Sequence, residues 1–165
     1  MNGRFGVGFW GIVAAQLLLL LAIVGAKEYT LHVGTTVVLQ TVHVDPRSLL
    51  QGDYAVLEYE ISTLPNHLSV LPPGTTVYVM LAKRDDVWVA SSYRTSKPAQ
   101  EELFIRGTAD DRGILDLDIG TYFVPEGTGH IIEGARDVKV EAAVDSVGKA
   151  VIKRVLVDGK QFDPN

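Results

Sequence analysis

The chain has no cysteine among its 165 residues. Disulfides, thiolate nucleophiles and Cys-ligated zinc are therefore excluded, although a domain with a sufficient core needs no bridge in any compartment. Clustered positive charge is missing as well. The 15 basic and 20 acidic residues are interspersed, for a net charge of −5, so the chain lacks the basic footprint of a nucleic-acid binder and no nucleic-acid partner is expected. Internal repeats and low-complexity segments are absent. The four histidines, His32, His43, His67 and His130, are scattered. None forms an HxH or HxxxH pair; His43 and Asp45 would share a strand face but have no third ligand in view. Gly127-Thr128-Gly129 lacks the lysine of a P-loop and the third glycine of a dinucleotide fingerprint. Asp110-Asp111 and Asp116/Asp118 lack EF-hand spacing. No metal and no cofactor is expected.

One long apolar run is present. From Phe5 to Ala26 the residues are apolar or small, interrupted only by Gln16. About 22 residues at 1.5 Å rise span roughly 33 Å, enough for a ~30 Å hydrocarbon core. Two readings compete. As a signal peptide the segment offers Arg4, the apolar stretch Leu17–Val24, and Val24-Gly25-Ala26 as a small-residue cleavage site. As an anchor it exceeds a typical signal core, and Trp10 suits a membrane interface. Its length favours an uncleaved, membrane-embedded anchor over residues 1–26, followed by a β-domain over residues 27–165. Arg4 and Lys27 carry almost no orientation signal by charge. The β-rich remainder points to a cytoplasmic N-terminus, a single pass through the cytoplasmic (inner) membrane and an extracytoplasmic, periplasmic domain.

Beyond Lys27 the hydrophobic period drops to two. Tyr29–Val33 reads as a short strand closed by Gly34, and Val37–Val44 as a β-branched strand. Asp45-Pro46 ends pairing there. One helical turn is expected at Ser48–Gln51, with Gly52 at its end. In Tyr54–Ile61, Ala55, Leu57, Tyr59 and Ile61 share one face, while Tyr54, Val56, Glu58 and Glu60 share the other. Thr75–Lys83 with Val87–Tyr93, Leu103–Gly107 with Ile114–Ile119, and Val138–Val144 with Ala150–Val157 read as three hairpins. Tyr122–Val124 is a short strand stopped by Pro125. Glu126–Ala135 is the soluble helix candidate, kept short by Gly127, Gly129 and Gly134. The expected fold is mainly β: an antiparallel barrel or sandwich with one short helix, preceded by a single N-terminal transmembrane helix.

The segment Gly52-Asp53-Tyr54-Ala55-Val56-Leu57-Glu58-Tyr59 resembles the bacterial family named for its GDYxxLxY motif, which Gly52, Asp53, Tyr54, Leu57 and Tyr59 match. Val44-Asp45-Pro46-Arg47 and Tyr122-Phe123-Val124-Pro125-Glu126-Gly127 are similar to that family's flanking and downstream signatures. Gln51 stands where the family would have a basic residue, which removes an anion contact there. The resemblance implies architecture and a membrane anchor, not an activity. It further implies gene linkage to multi-pass membrane proteins, hence an accessory subunit with a multi-pass membrane protein as partner; the oligomeric state is left open.

The corner around Asp45, Arg47, Gly52, Asp53 and Tyr54 admits three readings. A carboxylate there can accept backbone N–H bonds and staple the turn, and this structural reading is preferred. Alternatively Arg47 could fork onto a partner's carboxylate, or the two carboxylates could serve acid–base chemistry. A Gly-Asp-hydrophobic strand start also occurs in β-rich signal peptidases and self-cleaving repressors, which need a Ser nucleophile and a Lys base. Here Ser48 precedes the corner, but no lysine lies between Lys27 and Lys83. The enzyme reading is therefore disfavoured. Tyr54, Tyr59, Tyr78, Trp88, Tyr93 and Tyr122 all fall on expected strands, where core pairing is the default and an aromatic recognition face the alternative. The residues proposed to carry contact are Asp45, Arg47, Gly52, Asp53, Tyr54, Leu57, Tyr59, Tyr122, Pro125, Glu126 and Gly127. The favoured function is contact with a membrane partner, the alternative a small-ligand or envelope-polymer binding domain, and a hydrolase the remaining possibility.

Overall fold

Once a helix is nucleated, each further residue adds a hydrogen bond at little cost. The apolar run accordingly forms a single helix, α1 (Gly3–Val33), that does not stop at Ala26. Its Gly8–Val33 portion is long and apolar enough to cross a membrane. The strand expected over Tyr29–Val33 is thus helical. Helix extension and the burial of Thr30 against the β-domain outweigh the local strand preference of Tyr, Thr and Val. These features come from a computed structural model that describes residues 3–42, 54–66, 68–99, 102–125, 128, 131–132 and 134–163.

Among the described residues ten strands follow: β1 (Thr35–Gln40), β2 (Tyr54–Val56), β3 (Thr76–Arg84), β4 (Val87–Arg94), β5 (Phe104–Ala109), β6 (Leu115–Asp116), β7 (Thr121–Phe123), β8 (Val138–Val144), β9 (Ala150–Val157) and β10 (Lys160–Gln161). Eight form one sheet in the order β10-β9-β8-β1-β4-β3-β5-β6, and β2 pairs with β7 separately. The larger sheet is antiparallel except where β1 runs parallel to β4, with Leu39 opposite Trp88. It curls into a half-barrel. Register shifts at Met80/Leu81 and Glu141/Ala142 sharpen local twist and so help the sheet bend.

The concave face holds the core. Val37 and Leu39 of β1, Val77 and Val79 of β3, Ile105 of β5 and Val140 of β8 are fully buried, the period-two alternation made physical. Each such side chain contributes about 1.5–3 kcal/mol by leaving water. Among the described residues, every buried side-chain nitrogen or oxygen has a partner.

The far hairpin closes the open side. Arg106 N–H of β5 donates to Gly148 O at 2.8 Å, so the β8–β9 turn touches a strand four places across the sheet. Gly148 sits at φ 81°, and a Cβ there would lie 2.6 Å from the Phe104 ring. Only glycine fits both demands.

Three expected hairpins are present, with smaller differences elsewhere. The strand expected over Tyr54–Ile61 ends at Val56; Tyr59 makes an isolated bridge to Thr41, and Glu60–Ser62 forms a 3-10 turn. The face Ala55, Leu57, Tyr59 and Ile61 is nonetheless buried as expected. Ile114–Ile119 contributes only Leu115–Asp116 as strand. Within Glu126–Ala135, Ile131 and Ile132 are helical, and the bonds Ile131 N to Thr128 O and Ala135 N to Ile132 O span three residues. The turn expected at Ser48–Gln51 lies outside the described residues. A tenth strand, unanticipated, pairs Lys160 with Val157 and buries Phe162.

Candidate functional site

The second half of the GDYxxLxY segment lies beside the downstream signature. β2 and β7 are rich in aromatic and β-branched residues and pair antiparallel, setting Tyr54 opposite Phe123, Ala55 opposite Tyr122 and Val56 opposite Thr121. The ladder continues with Leu57 N–H donating to Gly120 O at 2.8 Å. At its end the buried Tyr59 hydroxyl donates to Ile119 O at 2.7 Å, and burial pushes that hydroxyl above the ordinary tyrosine range. Val42 N–H donates to Glu58 O at 2.8 Å and joins this small sheet to the chain leaving β1.

The sequence-selected residues therefore take different places. Leu57 and Tyr59 belong to the core. Tyr122 is half-buried, its ring edge-on to Phe162 with centroids 6.4 Å apart. Pro125 is exposed, and Tyr54 contributes backbone to the ladder. Asp45, Arg47, Gly52, Asp53, Glu126 and Gly127 lie outside the described residues.

Beside this ladder is a cleft of about 1050 Å³ between α1 and the β-domain. One wall is helical, with Ala22, Ile23, Ala26 and Thr30; the other comprises Thr121–Phe123 and the β8–β9 turn. Asp145 meets both walls. Its Oδ1 accepts from Val147 N and Lys149 N, each at 2.9 Å, which fixes the hairpin turn. Its Oδ2 lies 3.3 Å from the Thr30 hydroxyl, whose single proton is shared with Ala26 O at 3.1 Å on the helix itself. Asp145-Ser146-Val147-Gly148 reads as a turn in the sequence, since Asp favours such local bonds. That it also meets Thr30 of the helix, 115 positions away, is a fact of tertiary structure alone.

The titratable groups that line the cleft are Lys27, Tyr29, Asp118, Tyr122, Asp145 and Lys149. Among the described residues, no three His, Asp or Glu side chains are grouped to hold a metal ion. His32 pairs with Glu28 at 3.6 Å on the exposed helix face. Asp116 Oδ1 accepts from Asp118 N at 2.9 Å. Asp110 organises the β5–β6 turn: Oδ1 accepts from Ile114 N at 2.7 Å and Arg112 N at 2.9 Å, and Oδ2 from Arg112 Nε at 2.9 Å.

These turn carboxylates set an acid dependence. The bond from Ile114 N, with the Arg112 contacts, holds the Asp110 carboxyl below its usual range. Lys139 Nζ, 2.9 Å from Asp86, does the same there. A pKa lowered on folding gives stability that is present above the unfolded value and lost as pH falls. Melting temperature is therefore expected to decline from about pH 4 downward, and Asp110→Asn to flatten that decline. An identical pH profile in the variant would refute the assignment.

Residues 16–155 match the family model described as GDYXXLXY protein. No curated protein and no solved structure matches the chain.

Proposed function

We propose, from the premise that the chain belongs to the GDYXXLXY family, that it is a single-pass membrane protein whose β-domain is an accessory subunit of a multi-pass membrane protein. In this reading α1 is an uncleaved anchor in the cytoplasmic membrane, its N-terminus is cytoplasmic, and the domain over residues 27–165 is extracytoplasmic. A helix of membrane-spanning length supports the anchor. Anchoring confines the domain near membrane partners and raises their effective concentration, so that modest intrinsic affinity suffices.

The observation that carries the contact site is the β2–β7 pairing. It sets the segment that follows Gly52-Asp53 beside the one that leads to Pro125-Glu126-Gly127, with the helix cleft alongside. Leu57 and Tyr59 hold the rim from within, and Pro125 is exposed on it. The cleft supports a second reading, a small-ligand or envelope-polymer site in which Tyr29 and Tyr122 stack against the occupant.

In-membrane photo-crosslinking of the tagged full-length protein tests the choice. The crosslinker is placed at Pro125, with Lys160, paired to Val157 at the end of β9 remote from the β8–β9 turn, as control. A single multi-pass protein captured from position 125 and not from 160 is the expected result. Absence of any specific adduct at 125 would overturn the subunit reading in favour of the ligand-binding one.

A further inference from the structure

The cleft lies at a definite height on α1. If Phe5–Ala26 fills the hydrocarbon, the helix leaves it at Lys27 and Glu28, the first charged residues after Arg4. Ala22 and Ile23 then lie inside that boundary, by roughly 6–8 Å at 1.5 Å per residue. Yet both line the same cleft as Thr121–Phe123, Val147 and Lys149–Ile152. The cleft that the β-domain walls therefore extends down to the helix's last membrane turns.

A flexible tether would let the domain stand clear of the bilayer. No tether exists here. α1 ends at Val33 and β1 begins at Thr35, leaving Gly34 as the sole connection. Gly34 is walled in: a Cβ there would lie 2.5 Å from Thr30 O and 3.0 Å from Val144 N and O. Thr30 is buried at the same junction, its hydroxyl shared between Ala26 O at 3.1 Å and Asp145 Oδ2 at 3.3 Å. Helix depth and domain depth are set together.

The chemistry of the face at that depth is amphipathic. Phe123 is 77% exposed, Tyr29 64% and Val147 43%. Lys27 and Lys149 are exposed beside them. Asp118 and Asp145 line the same cleft, and the exposed aromatic and aliphatic groups with the two lysines suit the boundary between acyl chains and lipid phosphates. We infer that Phe123 on β7 and Val147 in the β8–β9 turn rest in the phospholipid headgroup layer, with Lys27 and Lys149 facing lipid phosphates. This inference rests on the reading that α1 spans the bilayer.

The absence of cysteine makes a direct test simple, because any introduced thiol is the sole labelling site. Full-length Phe123→Cys, Val147→Cys and Lys160→Cys variants are spin-labelled and reconstituted in phosphatidylcholine–phosphatidylglycerol vesicles. Power-saturation spectroscopy then compares oxygen, which concentrates in lipid, with a water-soluble nickel chelate. The expected result is oxygen-favoured accessibility at 123 and 147 and nickel-favoured accessibility at 160. Nickel-favoured accessibility at all three positions, in protein that resists carbonate extraction, overturns the seating and leaves the anchor standing. Protein released by carbonate overturns both. Labels at 123 and 147 shielded from both reagents also overturn it, indicating that a second copy of the chain covers the face.

Discussion

Replacing Tyr59 by Ala is expected to destabilise the β-domain by about 3–5 kcal/mol, the range for truncating a large buried aromatic. Tyr59 is only 1% exposed and among the largest fully buried side chains. Its ring packs within the core while its hydroxyl satisfies Ile119 O at 2.7 Å. Truncation therefore removes the packing and leaves the carbonyl without its partner. Tyr59→Phe separates the two effects: it keeps the ring and loses only the hydrogen bond, for about 1–3 kcal/mol. Thermal and chemical unfolding of full-length protein in detergent, followed by circular dichroism, reads both. An Ala variant that melts with the parent would mean that this motif position does not hold the fold, and would reopen Tyr59 as a direct contact residue.

Gly34→Ala is expected to cost roughly 1–3 kcal/mol through overpacking and, in addition, to splay α1 from the β8–β9 hairpin. The new methyl would face Thr30 O at 2.5 Å and the Val144 backbone at 3.0 Å. Backbone on two elements cannot yield as a side-chain tip does. Relief requires movement of the helix, which also pulls the Thr30 hydroxyl from Asp145. Pulsed spin-label distances between Leu19→Cys and Ser146→Cys, both at exposed positions, should lengthen or broaden in the Gly34→Ala background. An unchanged distribution would show that the junction adapts without loss of docking.

Sequence and structure agree best where local rules suffice. β3, β4, β8 and β9 begin and end close to where alternation and turn residues place them, because each strand pairs with its chain neighbour across a short loop. Tyr29–Val33 failed because strand propensity is decided locally, whereas helix continuation and the burial of Thr30 depend on what precedes and what packs. β10 was missed because Lys160 and Gln161 are too short a run to carry a pattern, although Phe162 behind them is buried. The parallel contact between β1 and β4 leaves no trace in spacing at all. Of the site, the buried face from Ala55 to Tyr59 was legible from period two. Its partnership with β7, more than sixty residues on, and the Thr30–Asp145 contact are long-range events that alternation cannot encode.

If α1 spans the bilayer as proposed, the single-residue passage from α1 into β1 also makes the molecule a lever. Transmembrane helices tilt by about 20° to match bilayer thickness. A joint with slack would absorb that rotation, whereas one walled in at Gly34 and meeting Asp145 through Thr30 passes it on as torque. A body of about 130 residues has a radius of gyration of roughly 14 Å. Its far edge, about 30 Å from the pivot, therefore swings by about 10 Å for such a tilt. On the proposed reading of α1 as an anchor, the thickness of the lipid around the helix would thereby be converted into the bearing of the β-domain.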